Sequence, residues 1–269
     1  MDLKFGAVLS SFLLLAALTG AAAASPADPE YRNSIGMGFR LLAAGTFMMG
    51  SPEEEPGRDT DETRHQVTLS RAFYMQTTEV TQGQWQAVMG SNPSMFVECG
   101  ADCPVERVSW HEVQEFIARL NQQTGQSYRL PTEAEFEYAA RAGSSQAFAN
   151  GPITQTACDL DPVLDAMAWY CYNADERPHP VAGKQANAWG LYDMHGNVWE
   201  WCADSRTDGD YPAAPVTDPL SPNAGEDRVI RGGSWSNDAW FARAANRDWT
   251  RPEYRNDYVG FRLVLDPAR

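Results

Sequence analysis

The stretch that most constrains the fold is residues 187–201, NAWGLYDMHGNVWEW, which is dense in Gly, Asn and Trp and has almost no aliphatic run. This composition is typical of neither an amphipathic helix nor a buried strand. Gly190 and Gly196 permit backbone turns that a side chain would forbid. Asp193 and Glu200 place carboxylates on both sides of the second turn, and Ca²⁺ prefers carboxylates combined with backbone carbonyls on a bent loop. The stretch indicates either a calcium loop or, more plainly, a tight turn with two solvated acids.

Four motifs follow one another along the chain: RLPTEAEFEYAARAG, GLYDMHGNVWEW, RVIRGGSW and GFRLV. Together they resemble the formylglycine-generating enzyme family, the sulfatase-modifying factors, from about residue 39 to residue 265. The resemblance implies an α+β, loop-rich fold related to the C-type lectins, with few short helices and small antiparallel sheets. It also implies a structural Ca²⁺ held by the side chains of Asp193 and Glu200 and by the carbonyls of Gly196 and Val198. Asn173 is a weak candidate for a second calcium loop of the family.

The resemblance breaks at the copper site. Catalytic members of the family oxidise a sulfatase cysteine to formylglycine, using two copper-binding cysteines that lie two and seven residues past the aromatic residue of a Gly-Gly-Ser-aromatic turn. Here that aromatic residue is Trp235, and the two positions hold Asn237 and Ala242. Neither side chain offers the soft donor that Cu(I) needs. We therefore expect no copper at this turn, whereas iron stays open.

A groove for a peptide or small-molecule ligand is expected beside the same turn. Ser234 matches a groove-lining serine of the family, and Trp199 lies close to that groove. Asn237, Trp240 and Arg243 complete the set of candidates, and no catalytic residue is assigned among them. Arg243 belongs to an Arg-rich stretch, and pairing with core acids is the default expectation for each of these arginines, because guanidinium suits bidentate carboxylate contacts.

The N-terminus predicts export. Residues 1–24 are typical of a secretory signal peptide, with one lysine before an apolar run and an A-x-A cleavage site. The run is shorter than the roughly 20 residues of a membrane span, so an uncleaved anchor is the weaker alternative. We expect a lead-in over residues 25–38 and one sulfatase-modifying-factor-like domain over residues 39–269. The location is then secreted or periplasmic, without a transmembrane segment after cleavage.

Charge and histidine content narrow the possible partners. The formal net charge is −15 at pH 7, which repels phosphate backbones and argues against nucleic-acid binding. Solubility explains this charge more simply than a cationic partner or bound Ca²⁺ does. The four histidines have no spacing typical of a zinc site, so we expect them to be surface or hydrogen-bonded residues.

Five cysteines in an exported chain predict disulfides. Cys99 and Cys103 flank a short turn, and Cys158 and Cys171 bracket another loop. We expect these two pairs to be bridged and Cys202 to be unpaired. A lone thiol of this kind is either reactive or buried among aromatic residues, and burial is the favoured interpretation.

Local patterns predict several elements. Three capping boxes mark helix starts, pairing Thr81 with Gln84, Ser109 with Glu112, and Thr132 with Glu135. We expect the glutamates of the third helix to cap it or to face solvent. Strands are predicted at residues 39–49, 66–74 and 228–231. Residues 51–64 form an acidic loop with nothing to bury, and residues 146–187 are expected to be largely irregular.

Three functions stay open. The first is an exported, calcium-stabilised family member that binds a peptide or small ligand in its groove and does not form formylglycine. The second is an enzyme that carries out oxidative tailoring of a secreted peptide or siderophore. The third is a formylglycine-generating oxidase. Metal content separates them, because calcium alone favours binding and stoichiometric iron or copper favours an enzyme.

Overall fold

The computed structural model describes residue 1, residues 29–206, residue 211, and residues 213–221 and 225–267. The predicted signal peptide, apart from Met1, lies outside the described residues. Described strands are β1 (Glu30–Arg32), β2 (Gly38–Leu42), β3 (Gly45–Met49), β4 (His65–Leu69), β5 (Phe73–Gln76), β6 (Tyr128–Arg129), β7 (Trp199–Ser205), β8 (Val216–Thr217), β9 (Arg228–Arg231), β10 (Asp248–Thr250), β11 (Val259–Gly260) and β12 (Val264–Leu265). Described α-helices are α1 (Gln82–Met89), α2 (Trp110–Thr124), α3 (Glu133–Arg141) and α4 (Pro162–Met167).

These strands form three small sheets joined by long loops. One sheet has the order β1-β2-β5-β12-β6, the second β10-β9-β7-β11, and the third β3-β4-β8. Most neighbouring strands are antiparallel, as predicted, but β11 is parallel to β7 and β4 is parallel to β8. The α+β, loop-rich architecture is confirmed.

The predicted strands at residues 39–49 and 66–74 are each two strands. The first divides into β2 and β3, and the second into β4 and β5. In both cases the two halves belong to different sheets, so each short break carries the chain from one sheet to another. The predicted lead-in contains strand β1, which pairs with β2 from Glu30 to Arg32. The 146–187 stretch contains α4.

The Trp-rich stretch contains a buried strand, contrary to the expectation from its composition. Strand β7 lies between β9 and β11, and Trp199 and Trp201 are almost completely buried. Large aromatic side chains supply the apolar area that aliphatic residues give an ordinary central strand. Glu200, between them, is buried because Arg262 neutralises it. Composition alone could not reveal that partner.

All three predicted capping boxes are present. Thr81, Ser109 and Thr132 accept from the N3 backbone N–H of α1, α2 and α3, and the N3 side chains bond back to the cap. The first two helices end at glycines in the left-handed region. Helix α3 ends at Arg141, and its C-cap is Ala142 in the left-handed region with φ +47°.

Two disulfides join the pairs that the sequence predicts. The Cα atoms are 5.8 Å apart for Cys99 and Cys103, and 5.6 Å apart for Cys158 and Cys171. Cys202 is free and buried, and burial raises the pKa of its thiol well above the ordinary value. In the part of the chain described above, no helix has the length and apolar character needed to cross a membrane.

The turn at Gly196 offers a stability test. Its φ is +79°, and a Cβ there would lie 2.2 Å from the carbonyl oxygen of Trp169. We expect Gly196→Ala to lower the free energy of unfolding by about 3 kcal/mol, since backbone strain and overlap with a fixed carbonyl add together. Gly125→Ala is the matched control, because its φ is +69° and its Cβ would meet nothing within 4 Å. Urea unfolding should show a loss of only about 1 kcal/mol for the control; equal losses would contradict the steric argument.

Candidate functional site

The predicted calcium ligands Asp193 and Glu200 are both buried, one in the Gly-rich turn and the other in β7. Both oxygens of Glu200 accept from Arg262, at 2.7 Å from Nε and 2.7 Å from Nη2. Oδ2 of Asp193 accepts from the backbone N–H of Ala182 at 2.7 Å. Oδ1 of Asp193 is buried and accepts from no described N–H or hydroxyl group, but the Asp193 carboxyl lies within hydrogen-bond reach of the Glu79 carboxyl when one of the two is protonated.

A third carboxylate, Glu79, completes this group. Glu79 is fully buried, and its Oε1 accepts from Asn197 at 3.0 Å whereas its Oε2 has no partner. Burial, reinforced by the charge of Asp193, raises the pKa of Glu79 well above its ordinary value. Burial likewise raises the pKa of Asp193 to about 6. Sequence reasoning missed Glu79, because nothing in the residues before the first capping box marks it as part of a site.

This cluster, defined as Glu79, Asp193 and Glu200, has an excess of negative charge. Three carboxylates face one guanidinium, that of Arg262. The unpartnered oxygens of Glu79 and Asp193 therefore need either a shared proton or a cation. Oxygen donors of this kind suit Ca²⁺. The three carboxylates do not converge within 4.8 Å as a set, so an ion here would also draw on backbone carbonyls, as the predicted set with Gly196 and Val198 does.

Three of the predicted groove residues meet at the Gly-Gly-Ser turn. Oδ1 of Asn237 accepts from the Ser234 hydroxyl at 2.5 Å and from Nε1 of Trp199 at 2.9 Å. The Asn237 carboxamide is thereby fixed in orientation. Ala242, the second position at which the family resemblance places a copper-binding cysteine, is buried.

The other two groove candidates, Arg243 and Trp240, do not belong to this hydrogen-bonded group. Arg243 is buried and forms a two-pronged pair with Glu62, at 2.8 Å and 2.6 Å, with a further contact of 2.9 Å to Glu55. Its guanidinium is thus engaged in the interior. Trp240 is half-buried and packs against Phe241, with ring centroids 3.7 Å apart and the rings tilted by 31°. The acidic loop at residues 51–64 does bury something: it supplies the carboxylates that neutralise Arg243.

Glu135 caps α3 as predicted. Glu133 and Glu137 are internal, which corrects the expectation that they cap the helix or face solvent. Glu133 bonds Arg247 at 2.7 Å and 3.0 Å, and Glu137 bonds Arg231 at 2.6 Å. Arg141 approaches Glu137 from the next turn of the helix. Core arginines hold these acids from distant parts of the chain, and helical periodicity carries no sign of such partners.

Both polar atoms of the Asn173 side chain are hydrogen-bonded to nearby residues. Its Nδ2 donates to Asp165 Oδ1 and to the Ala168 carbonyl, both at 2.9 Å, and its Oδ1 accepts from the Tyr170 N–H at 2.9 Å. The cation beside it is Lys184, whose Nζ lies 3.6 Å from Asp165 Oδ1. Asn173 therefore has a structural role within this loop.

Comparison with known proteins defines the class. Residues 26–267 match the family model described as "Sulfatase-modifying factor enzyme 1-like domain". The chain belongs to the sulfatase-modifying factor family.

Two curated relatives and one solved structure illustrate the likeness. The chain is 31% identical over 279 residues to "Chaperone protein LppX" of Paenibacillus barcinonensis, covering 83% of this chain and 86% of that one. It is 33% identical over 180 residues to a formylglycine-generating enzyme of Streptomyces coelicolor, covering 61% of this chain but only 52% of the enzyme. The structure of PvdO from Pseudomonas aeruginosa aligns with a TM-score of 0.79 and 30% identity, covering 90% of this chain and 100% of that chain.

His195, in the turn between Asp193 and β7, is a buried neutral histidine. Nδ1 donates to the Ala242 carbonyl at 2.7 Å, and Nε2 accepts from the Ala149 N–H at 3.3 Å. Burial lowers the pKa of His195 to about 4. Because the folded pKa lies below the unfolded one, the ring contributes stability that is complete above pH 6.5 and is lost as the pH falls toward 4.

Replacing His195 should remove this pH dependence. We expect His195→Gln to be destabilised at pH 7.5, and its deficit relative to the wild type to shrink by about 2 kcal/mol at pH 5.0, since 1.5 pH units separate that pH from the unfolded pKa. Urea unfolding at the two pH values measures the change. His111→Gln, at an exposed histidine, is the control and should show no such shift. A deficit that is equal at both pH values would contradict the prediction.

Proposed function

We propose that this protein is an exported, calcium-stabilised member of the sulfatase-modifying factor family, that its groove binds a peptide or small ligand, and that it does not form formylglycine. The observation that carries the proposal is the Asn237 side chain and its hydrogen bonds. Where catalytic members have a copper-binding thiolate, this chain has a carboxamide held by Ser234 and Trp199. A carboxamide oxygen that accepts two hydrogen bonds is a poor ligand for Cu(I), which selects soft donors.

The turn has the chemistry of a binding surface. Asn237 is half-buried, and within the described chain its Nδ2 donates to no other residue. An extended peptide could place a carbonyl oxygen there. Ser236 is exposed beside it, and Trp240 offers an apolar face. The relative that is named a chaperone protein supports a function in binding for this branch of the family.

Calcium binding is tested by melting temperature. Calcium added to chelator-treated protein should raise it, because an ion that binds only the folded state stabilises by about 2.7 kcal/mol at a concentration one hundred times its Kd. Asp193→Asn should abolish this response. Asp204→Asn is the matched control: Asp204 is a buried carboxyl whose pKa burial raises to about 6, but it accepts from the N–H groups of Glu133 and Ser221, outside the cluster.

Metal analysis of the purified protein completes this test. One calcium per chain, without stoichiometric iron or copper, agrees with the proposal. Stoichiometric iron or copper would instead support the alternative, an oxidative tailoring enzyme acting on a secreted peptide or siderophore. An unchanged melting temperature with calcium would contradict the calcium site.

Formylglycine formation is tested directly. We expect no aldehyde product when the protein is incubated with copper, oxygen, a reductant and a sulfatase-type peptide that contains cysteine, followed by mass analysis. The Streptomyces relative under the same conditions is the positive control. Aldehyde at the turnover of the relative would refute the proposal, and Cys202→Ser would then show whether the buried free thiol is responsible.

A further inference from the structure

A cluster of two cysteines and one aspartate lies beside the Gly-Gly-Ser turn. One ligand atom each from Cys158, Cys171 and Asp238 lies within 4.8 Å of the others. Among the described residues, this is the single group of three Cys, His, Asp or Glu side chains that meets this distance. The two sulfurs are joined in a disulfide. Cys158 is exposed and the other two residues are half-buried, so solvent reaches the group.

Backbone hydrogen bonds hold Cys171 and the two residues before Cys158 near this turn, independently of the disulfide. On one side, the carbonyls of Thr156 and Ala157 accept from the N–H groups of Trp240, at 3.2 Å, and Ala239, at 3.4 Å. On the other side, the Cys171 N–H donates to the Asn237 carbonyl at 3.1 Å. The two thiols would therefore stay close together after the S–S bond is broken.

The loop between the cysteines is also closed by its own contacts. Asp161 caps α4, accepting from the N–H groups of Val163 and Leu164. The Asp161 N–H donates to the Tyr170 hydroxyl at 3.0 Å, which joins the start of the loop to its end. This second closure gives another reason to expect that reduction leaves the loop folded.

The carboxylate of Asp238 is available to a ligand. Asp238 precedes the 3-10 helix Ala239–Ala242, but its side chain makes no capping hydrogen bond. Its Oδ1 lies 3.7 Å from Sγ of Cys171. Within the described chain, the carboxylate pairs with no nitrogen or other oxygen. A carboxylate beside two sulfurs, with no cationic partner among the described residues, is suited to be a third ligand.

We propose that the Cys158–Cys171 disulfide is reducible, and that the resulting dithiol binds one thiophilic divalent cation together with Asp238. A dithiol reductant supplies two electrons and two protons and becomes a disulfide itself, while the protein S–S bond breaks to give two thiols. Metal binding then releases two protons, because both sulfurs ligate as thiolates. Two thiolates and a carboxylate suit a zinc-like ion, and solvent supplies the fourth position of a tetrahedral site.

Cobalt titration tests this site. The full chain is reduced with a water-soluble phosphine, the phosphine is removed, and Co²⁺ is added under nitrogen. We expect one Co²⁺ per chain with the near-ultraviolet charge-transfer band of thiolate ligation, displaced by Zn²⁺, and no such band in the oxidised protein. Circular dichroism should show that the reduced protein remains folded. An unfolded reduced protein, or a folded one without the band, would overturn the proposal.

Variants assign the ligands. The double variant C158S/C171S should lose the band, whereas C99S/C103S, which removes the other disulfide, should keep it. Cys202 is present in both variants and is buried, so it does not account for a difference between them. Asp238→Asn should raise the Kd for Co²⁺ by about tenfold or more. A band that survives in C158S/C171S, or an unchanged Kd in Asp238→Asn, would refute the site as proposed.

Discussion

The guanidinium of Arg262 is the contact on which the central part of this fold depends. It binds both oxygens of Glu200 in β7 and donates to three backbone carbonyls, those of Gln76, Tyr192 and Asp193. One side chain thereby joins the end of β5, the Gly-rich turn and the Trp-rich strand. The arginine and Glu200 are fully buried, and removing one partner of such a pair costs about 3–5 kcal/mol because the other charge is left without compensation.

Other buried arginines form similar ion pairs, although each joins fewer parts of the chain than Arg262 does. Arg231, Arg243 and Arg247 hold carboxylates from α3 and from the acidic loop. The strands are short and the loops long, so aliphatic layers give way to ion pairs at several points of the interior. These internal pairs add nothing to the net charge of −15, because each arginine cancels the charge of the acid that it holds.

Features set by neighbouring residues could be predicted from the sequence. The capping boxes gave the starts of α1, α2 and α3 because each is complete within four residues. The pairing of arginines with core acids was also expected, but not the partners: Arg243 reaches Glu62 across 181 positions and Arg231 reaches Glu137 across 94. Strand β7 and the carboxylate of Glu79 were missed for the same reason, since each depends on a residue far away in the chain.

Asn237 connects the two sites proposed near the Gly-Gly-Ser turn. Its side-chain oxygen accepts from the buried residues Ser234 and Trp199, and its backbone carbonyl accepts from Cys171 in the disulfide loop. The resemblance located the missing thiols at this turn, yet only the fold shows that two other cysteines lie beside it.

The carboxylate cluster and the cysteine cluster also differ in chemistry. The first offers buried oxygen donors that suit a hard cation once the chain folds, whereas the second offers sulfur at the surface, and only after reduction. A cation at one site therefore does not substitute for a cation at the other, and each can be removed by a variant that leaves the other intact.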